Sequence, residues 1–139
     1  MGDRVSISFR NEGWNNVPED SVALFHHWGG REFPQLALEY AKSLKEEMSK
    51  RDSHISDPLS RLEPRVVMVD FLRYLWGNGE LKGKTFNSKN QYVDTGYIND
   101  SIYFGKDEHD GDNSDNGHWN IDLRDLTMNH NKGEFEPGA

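Results

Sequence analysis

Near its start the chain alternates with a period of two. Val5, Ile7 and Phe9 are apolar, and Ser6, Ser8 and Arg10 are the polar residues between and after them. That is the pattern of a strand with one buried face. Residues 11–20 are rich in Asn, Gly and Pro and predict a loop. Val22, Leu24 and Phe25 resume the extended pattern, so the two segments are expected to pair antiparallel. After Gly29-Gly30 the period lengthens. Leu36, Ala37, Tyr40, Ala41, Leu44 and Met48 form a stripe at helical spacing, with Pro34 tolerated in the first turn. Lys42/Glu46 and Glu46/Lys50 add i,i+4 charge pairs on the wet face. A helix over 34–50, ending near Arg51, follows.

Residues 66–76 are apolar nearly all round apart from Asp70 and Arg73. Their length favours a buried helix, with Pro64 placed to start it and Gly77-Asn78-Gly79 to stop it. Residues 79–96, with three glycines and several Asn and Lys, predict a long functional or mobile loop. Two strands, 97–104 and 118–123, then close the fold, with Asp115-Asn116-Gly117 turning into the last. No internal repeat is present. The expected architecture is one α+β domain over residues 1–131, with a flexible C-terminal tail at 132–139. Its order is ββααββ: an antiparallel sheet of about four strands with two helices on one face. Ile98, Ile102, Phe104, Trp119, Ile121 and Leu123 are expected to face the helices. Tyr103, His118, Asn120 and Asp122 are expected on the opposite face.

Composition sharpens this picture. The chain has 139 residues, 34% of them hydrophobic, and a formal net charge of -8; the mean hydropathy is -0.90. This implies a lean core under a very polar surface, and the aromatics that can fill such a core argue against disorder. No segment approaches the roughly 20 apolar residues of a membrane span. No signal-peptide pattern opens the chain, and there are no cysteines, which together point to the cytoplasm and to no membrane partner. Met1-Gly2 with Ser6 matches a myristoylation pattern, but the alternating strand already accounts for that segment. Asp107, Glu108, Asp110, Asp112 and Asp115 concentrate negative charge, which disfavours duplex nucleic acid. Lys82, Lys84 and Lys89 make one locally cationic loop, of a size to meet a small anion.

Candidate chemistry is sparse. His26 and His27 are adjacent, so in a continuous strand they point to opposite faces and cannot share an ion. Asp112-x-Ser114-x-Asn116-Gly117 resembles the start of a calcium loop, but Leu123 stands where the bidentate acid is needed. No metal or other cofactor is expected, and the segment reads as a polar hairpin connection. Asp70, in an apolar helix, is expected to pair with Arg73. Nothing has a nucleophile-elbow spacing. Groups suited to a nucleotide-like ligand are more numerous. Trp28, Trp119 and Tyr103 offer stacking faces; Arg31, Lys82, Lys84 and Lys89 offer charge; Asn87 and Asn99 offer carboxamides. With His27 at the Gly29-Gly30 turn, these define the expected ligand site: His27, Trp28, Arg31, Lys82, Lys84, Asn87, Lys89, Tyr103 and Trp119.

Three motifs carry a resemblance. They are Gly2-Asp3-Arg4-Val5-Ser6-Ile7-Ser8-Phe9, the turn His27-Trp28-Gly29-Gly30, and Asp115-Asn116-Gly117 before a closing strand. The chain thereby resembles small uncharacterised proteins of phage and mobile elements. These often begin Gly-Asn-Arg, with an I-x-F strand and an H-W-x-G turn; here Asp3 replaces the Asn. The resemblance implies no catalytic residues. It does imply an accessory or counter-defence role in a host-cell cytoplasm. The expected function is therefore sequestration of a small anionic aromatic, nucleotide-derived ligand by a homo-oligomer without turnover. The alternatives are a hydrolase acting on a similar ligand, and an acidic decoy that binds a protein as a nucleic-acid mimic would.

Overall fold

The structure is a computed structural model that describes residues 2–13, 16–51 and 62–131; the expected tail at 132–139 lies outside them. In chain order the elements are β1 (Val5–Glu12), β2 (Pro18–Asp20), β3 (Ala23–His26), α1 (Glu32–Arg51), α2 (Pro64–Gly77), β4 (Lys82–Phe86), β5 (Tyr92–Ile98), β6 (Ile102–Gly105), β7 (His118–Asp122) and β8 (Thr127–Asn131). The α+β class and the two helices are as expected. The four-stranded antiparallel sheet in ββααββ order is not what forms. Instead there is a six-stranded mixed sheet, β6-β3-β1-β7-β8 with β2 beside β1, and a separate β4–β5 hairpin.

The sheet is mixed because β1 runs parallel to β7, with Ser6 opposite His118 and Ser8 opposite Asn120. On its other edge β1 pairs antiparallel with β3, Val5 opposite His26, and then with β2, Arg10 opposite Asp20. Between those two ladders the Ser21 hydroxyl accepts the Phe9 N–H at 2.9 Å, so that donor of the central strand is not stranded at the break.

Alternation in β1 sorts its side chains onto two faces. Val5, Ile7 and Phe9 are fully buried against the helices, as are Ile121 and Leu123 after the parallel crossover. Phe33, Ala37, Tyr40 and Ala41 of α1 and Val67, Met68, Phe71 and Leu75 of α2 complete this core. Leu36, Leu44 and Met48 pack at its margin. Phe71 is central, with ring centroids 5.4 Å from Phe9 and 5.0 Å from Tyr40. Asp70 binds Arg73 as expected, Nε to Oδ1 at 2.7 Å, and also accepts the Tyr40 hydroxyl at 2.6 Å. Burial, with that carboxylate, pushes the Tyr40 phenol well above its usual range.

Three further expectations need correction. Residues 79–96 are not a loop but hold the β4–β5 hairpin, whose strands are largely exposed and carry no buried face to announce them. The single strand expected at 97–104 is two, separated by a turn in which Ser101 N–H donates to Asn99 Oδ1 at 3.0 Å. Ile98 therefore lies in the hairpin and is 45% exposed, whereas Ile102 does join the core. Phe104, on the same face as Ile102 and opposite Leu24, is left 50% exposed at the sheet edge.

Phe71→Ala should cost about 3–5 kcal/mol in urea denaturation, because four surrounding rings cannot close the cavity. Val69→Ala, on the 65% exposed face of the same helix, should stay within about 0.5 kcal/mol.

Candidate functional site

The face of the sheet away from the helices is polar, and the segment 106–117 folds back over part of it. This segment is pinned at β1, where the Arg4 guanidinium binds Asp112 and lies 3.4 Å from Asp115. Asn116 N–H donates to Arg4 O at 2.9 Å, and Ser6 N–H to Gly117 O at 3.1 Å. Gly117 has φ +79°, which lets the chain turn directly into β7. Gly111 sits against the Phe25 ring so closely that a Cβ there would stand 2.7 Å from it. Tyr103 stacks parallel to Phe25 at 5.2 Å, and its hydroxyl accepts Asp112 N–H at 3.1 Å. The acidic residues of the loop are thus turn-forming groups as well as charges. Asp107 Oδ1 accepts His109 N–H, Asp110 Oδ2 accepts Lys106 N–H, and Asp112 Oδ1 accepts Ser114 N–H. Among the described residues no group of three His, Asp or Glu is placed to hold a metal ion.

Beside this loop lies a pocket of about 240 Å³. Its floor is Ser8, Arg10, His118 and Asn120, with Asn129 alongside on β8, and its wall is Asp20, Ser21 and Ala23. Asp107 and Glu108 stand on the loop side. The parallel register places His118 between two serines of β1. Nδ1 is 2.7 Å from Ser6 Oγ and Nε2 is 2.8 Å from Ser8 Oγ. Each serine also accepts a carboxamide N–H, Ser6 from Asn113 at 2.9 Å and Ser8 from Asn120 at 2.7 Å. The orientation of both amides is fixed by acceptors that cannot donate. Asn113 Nδ2 also gives to Glu108 O, and Asn120 Nδ2 to the Asp20 carboxylate.

This network assigns the imidazole tautomer. Burial holds His118 below its ordinary pKa; Glu108, Asp20 and Asp107 oppose that shift, and His109 reinforces it. The ring is therefore neutral at pH 7, with one N–H to place. Were that N–H on Nδ1, the fully buried Ser6 hydroxyl would keep its proton with no acceptor in hydrogen-bond reach among the described residues, since Asn113 presents its Nδ2 to Ser6 and leaves its own buried Oδ1 without a partner. An unpaired buried donor costs about 1–3 kcal/mol. With the N–H on Nε2, Ser6 donates to Nδ1, Nε2 donates to Ser8, and Ser8 turns its own proton toward the pocket. The second arrangement wins. Asn120, whose Nδ2 donates to Ser8, leaves its Oδ1 buried without a partner.

Charge at the site is uneven. Arg10 spends Nε and Nη2 on the two oxygens of Asp20, at 2.7 and 2.9 Å. That bond, against the opposing effect of burial, holds Asp20 below the usual carboxylate range. The pair is neutral as a unit, and Asp107 and Glu108 leave the pocket net negative.

The expected ligand residues lie elsewhere, and the structure does not gather them. Trp28 is 59% exposed in its turn, edge-on to His27 at 4.7 Å, and Arg31 is exposed at the start of α1. Lys82 lies 5.3 Å over the Trp76 ring and Lys84 binds Asp94. Asn87 builds the hairpin turn by accepting the N–H groups of Lys89 and Gln91. Trp119 stacks on His130 at 3.9 Å and donates to Asn116 O. At the base of the hairpin His26 Nε2 is 2.9 Å from Glu80 Oε1. None of the nine is among the lining residues; Tyr103 holds the loop beside the pocket through Phe25 and Asp112. His118, Ser8 and Asn120 were missed because their chemistry emerges from the β1–β7 register. The available signal was the run of small polar residues on one face of each strand.

No protein-family model, curated protein or solved structure matches the chain. The site therefore rests on its own geometry.

That geometry makes a pH prediction. Unfolding exposes His118 and restores its ordinary pKa, so the unfolded chain binds more protons and stability rises with pH. His118's contribution should be fully present above about pH 6.5 and be lost as pH falls through its folded pKa. The slope should reach at most about 1.4 kcal/mol per pH unit. His118→Gln should flatten the dependence between about pH 5 and 6.5, above the window in which carboxylates titrate; an unchanged slope would mean that His118 is not the group being protonated.

Proposed function

We propose that this protein captures a small polar molecule in the pocket above His118 and releases it chemically unchanged. One feature carries the reading: Asn113, Ser6, His118 and Ser8 are joined in one hydrogen-bonded chain, and the tautomer argued above leaves Ser8, which lines the pocket, with a proton to donate. A chain of this kind is a rigid recognition device, each group oriented by the one behind it. The same direction argues against the hydrolase reading. A general base must offer Ser8 a lone pair, and here Nε2 offers it a proton. Reversing the tautomer would strand the buried Ser6 proton.

Ser8 O–H offers the pocket a donor, which suits a carbonyl or hydroxyl oxygen of an amide, a nucleobase or a sugar. A nucleotide-derived ligand, as the counter-defence reading requires, would enter by its base or sugar. Its phosphates would point away from Asp107 and Glu108. The stacking face and lysines once expected to hold it are not part of this pocket. The acidic decoy gains little support, since Asp112 and Asp115 are engaged by Arg4 of the same chain.

Mass spectrometry of the purified protein, native and then denatured, tests capture directly. A ligand should accompany the wild-type chain and return with its mass unaltered after prolonged incubation. Ser8→Ala should bind it about fivefold more weakly, the loss of one neutral hydrogen bond. Recovery of cleavage fragments from the wild type, but not from Ser8→Ala, would establish the hydrolase instead.

A further inference from the structure

The β4–β5 hairpin stands apart from the rest of the molecule. Among the described residues its strands pair with each other and touch no other helix or strand in more than marginal contact. A two-stranded hairpin alone in water is marginally stable at best, and this one leaves Phe86 62% and Tyr92 66% exposed. We propose that it is an interaction surface for a second copy of this chain. The two hairpins would stack face to face about a two-fold axis through the Lys84–Asp94 row.

The pairing register builds the face. Phe86 lies opposite Tyr92, Lys84 opposite Asp94 and Lys82 opposite Ile98. Thr95, Gly96 and Tyr97 oppose Gly83 alone, a bulge that adds two positions and so leaves the alternation in phase. All six paired residues therefore share one face. Its first row is a ring pair, Phe86 and Tyr92, with centroids 5.1 Å apart. Its second is the Lys84–Asp94 ion pair. Its third is Ile98 with Lys82, whose ammonium lies 5.3 Å from the centroid of the Trp76 ring. The order is apolar, ionic, apolar. It reads the same from either end, which is what an isologous contact requires. A copy turned by the two-fold lays its rings on Ile98 and Trp76 of the first, and its Lys84 on Asp94.

Charge and area both favour a copy over another occupant. Lys84 and Asp94 make the centre of the face neutral, and two copies exchange these partners with no charge left over. Single-stranded nucleic acid also suits rings beside lysines. Here it would find Lys84 engaged by Asp94, Lys82 held over an indole, and a chain of net charge -8. With Trp76 43% exposed, the three rings offer roughly 250–430 Å² per copy. Ile98 and the lysine stems add to this, which brings a dimer near the roughly 1,000 Å² total of a specific interface. Such an area implies a weak, concentration-dependent dimer.

Sedimentation equilibrium of the full chain tests this, with circular dichroism of each variant to show that the body is folded. The wild type should pass from monomer to dimer as its concentration rises. Phe86→Ala together with Tyr92→Ala should raise the dimer Kd at least about thirtyfold. Charge reversal separates docking from the folding of the hairpin. Lys84→Asp and Asp94→Lys should each be monomeric alone, one presenting two acids and the other two bases. Their equimolar mixture should dimerise. A wild type that stays monomeric to about 1 mM overturns the proposal. So does a dimer indifferent to the ring substitutions, or a mixture that stays monomeric. Oligothymidylate binding that is lost with the rings, in a chain that remains monomeric, would assign the face to single-stranded nucleic acid instead.

Discussion

The parallel ladder between β1 and β7 is the constraint on which the rest depends. It joins residues more than a hundred positions apart and buries β1 in the middle of the sheet, with neighbours on both edges. A central strand must hand each face to something. One face of β1 goes to α1 and α2 through Val5, Ile7 and Phe9. The other goes to Ser6, fully buried, and Ser8, buried at the edge of the pocket, and both therefore require polar partners. His118 meets both hydroxyls only in this register. A slip of one residue would turn its ring toward the helices and put Trp119 among the serines.

A buried network of this kind is stable only when almost every member is satisfied. Each hydrogen bond contributes about 0.5–1.5 kcal/mol net, whereas each unpaired group costs about 1–3 kcal/mol. That asymmetry gives the network a direction. Ser6 and Asn113 are fully buried, so the unmatched proton is pushed to the one hydroxyl at the pocket edge. The loop closing over Phe25 completes the enclosure, held by Arg4 and by the absence of a side chain at Gly111. The groups that keep the polar face satisfied thus also leave the Ser8 hydroxyl proton at the pocket edge.

Much of the scaffold was legible in the sequence. Both helices, the antiparallel pairing of β1 with β3, and the facing of Trp119, Ile121 and Leu123 against His118, Asn120 and Asp122 follow from simple periodicity. What failed has identifiable causes. The β4–β5 hairpin buries neither face, so Lys, Gly, Asn and Thr there show no alternation to read. Strand β8 lies at the sheet edge, with Met128 its one apolar contribution to the core margin. Asn99-Asp100-Ser101 was a turn signal inside what read as one strand. The site was hidden for a different reason. Lysines and tryptophans attract attention singly; here Lys82 and Lys84 make contacts at the hairpin, Trp119 stacks at the sheet edge and Trp28 stands exposed in its turn. Serines and carboxamides gain their chemistry only from being brought together, and no local pattern encodes a long-range parallel register.

The central claim is the direction of the hydrogen-bond chain, and nitrogen NMR of the His118 ring at neutral pH tests it most directly. The account predicts a neutral imidazole protonated at Nε2 with Nδ1 bare, and a Ser6 hydroxyl proton strongly protected from exchange. A proton found on Nδ1, with Nε2 presenting its lone pair to Ser8, would contradict it and make Ser8 a candidate nucleophile.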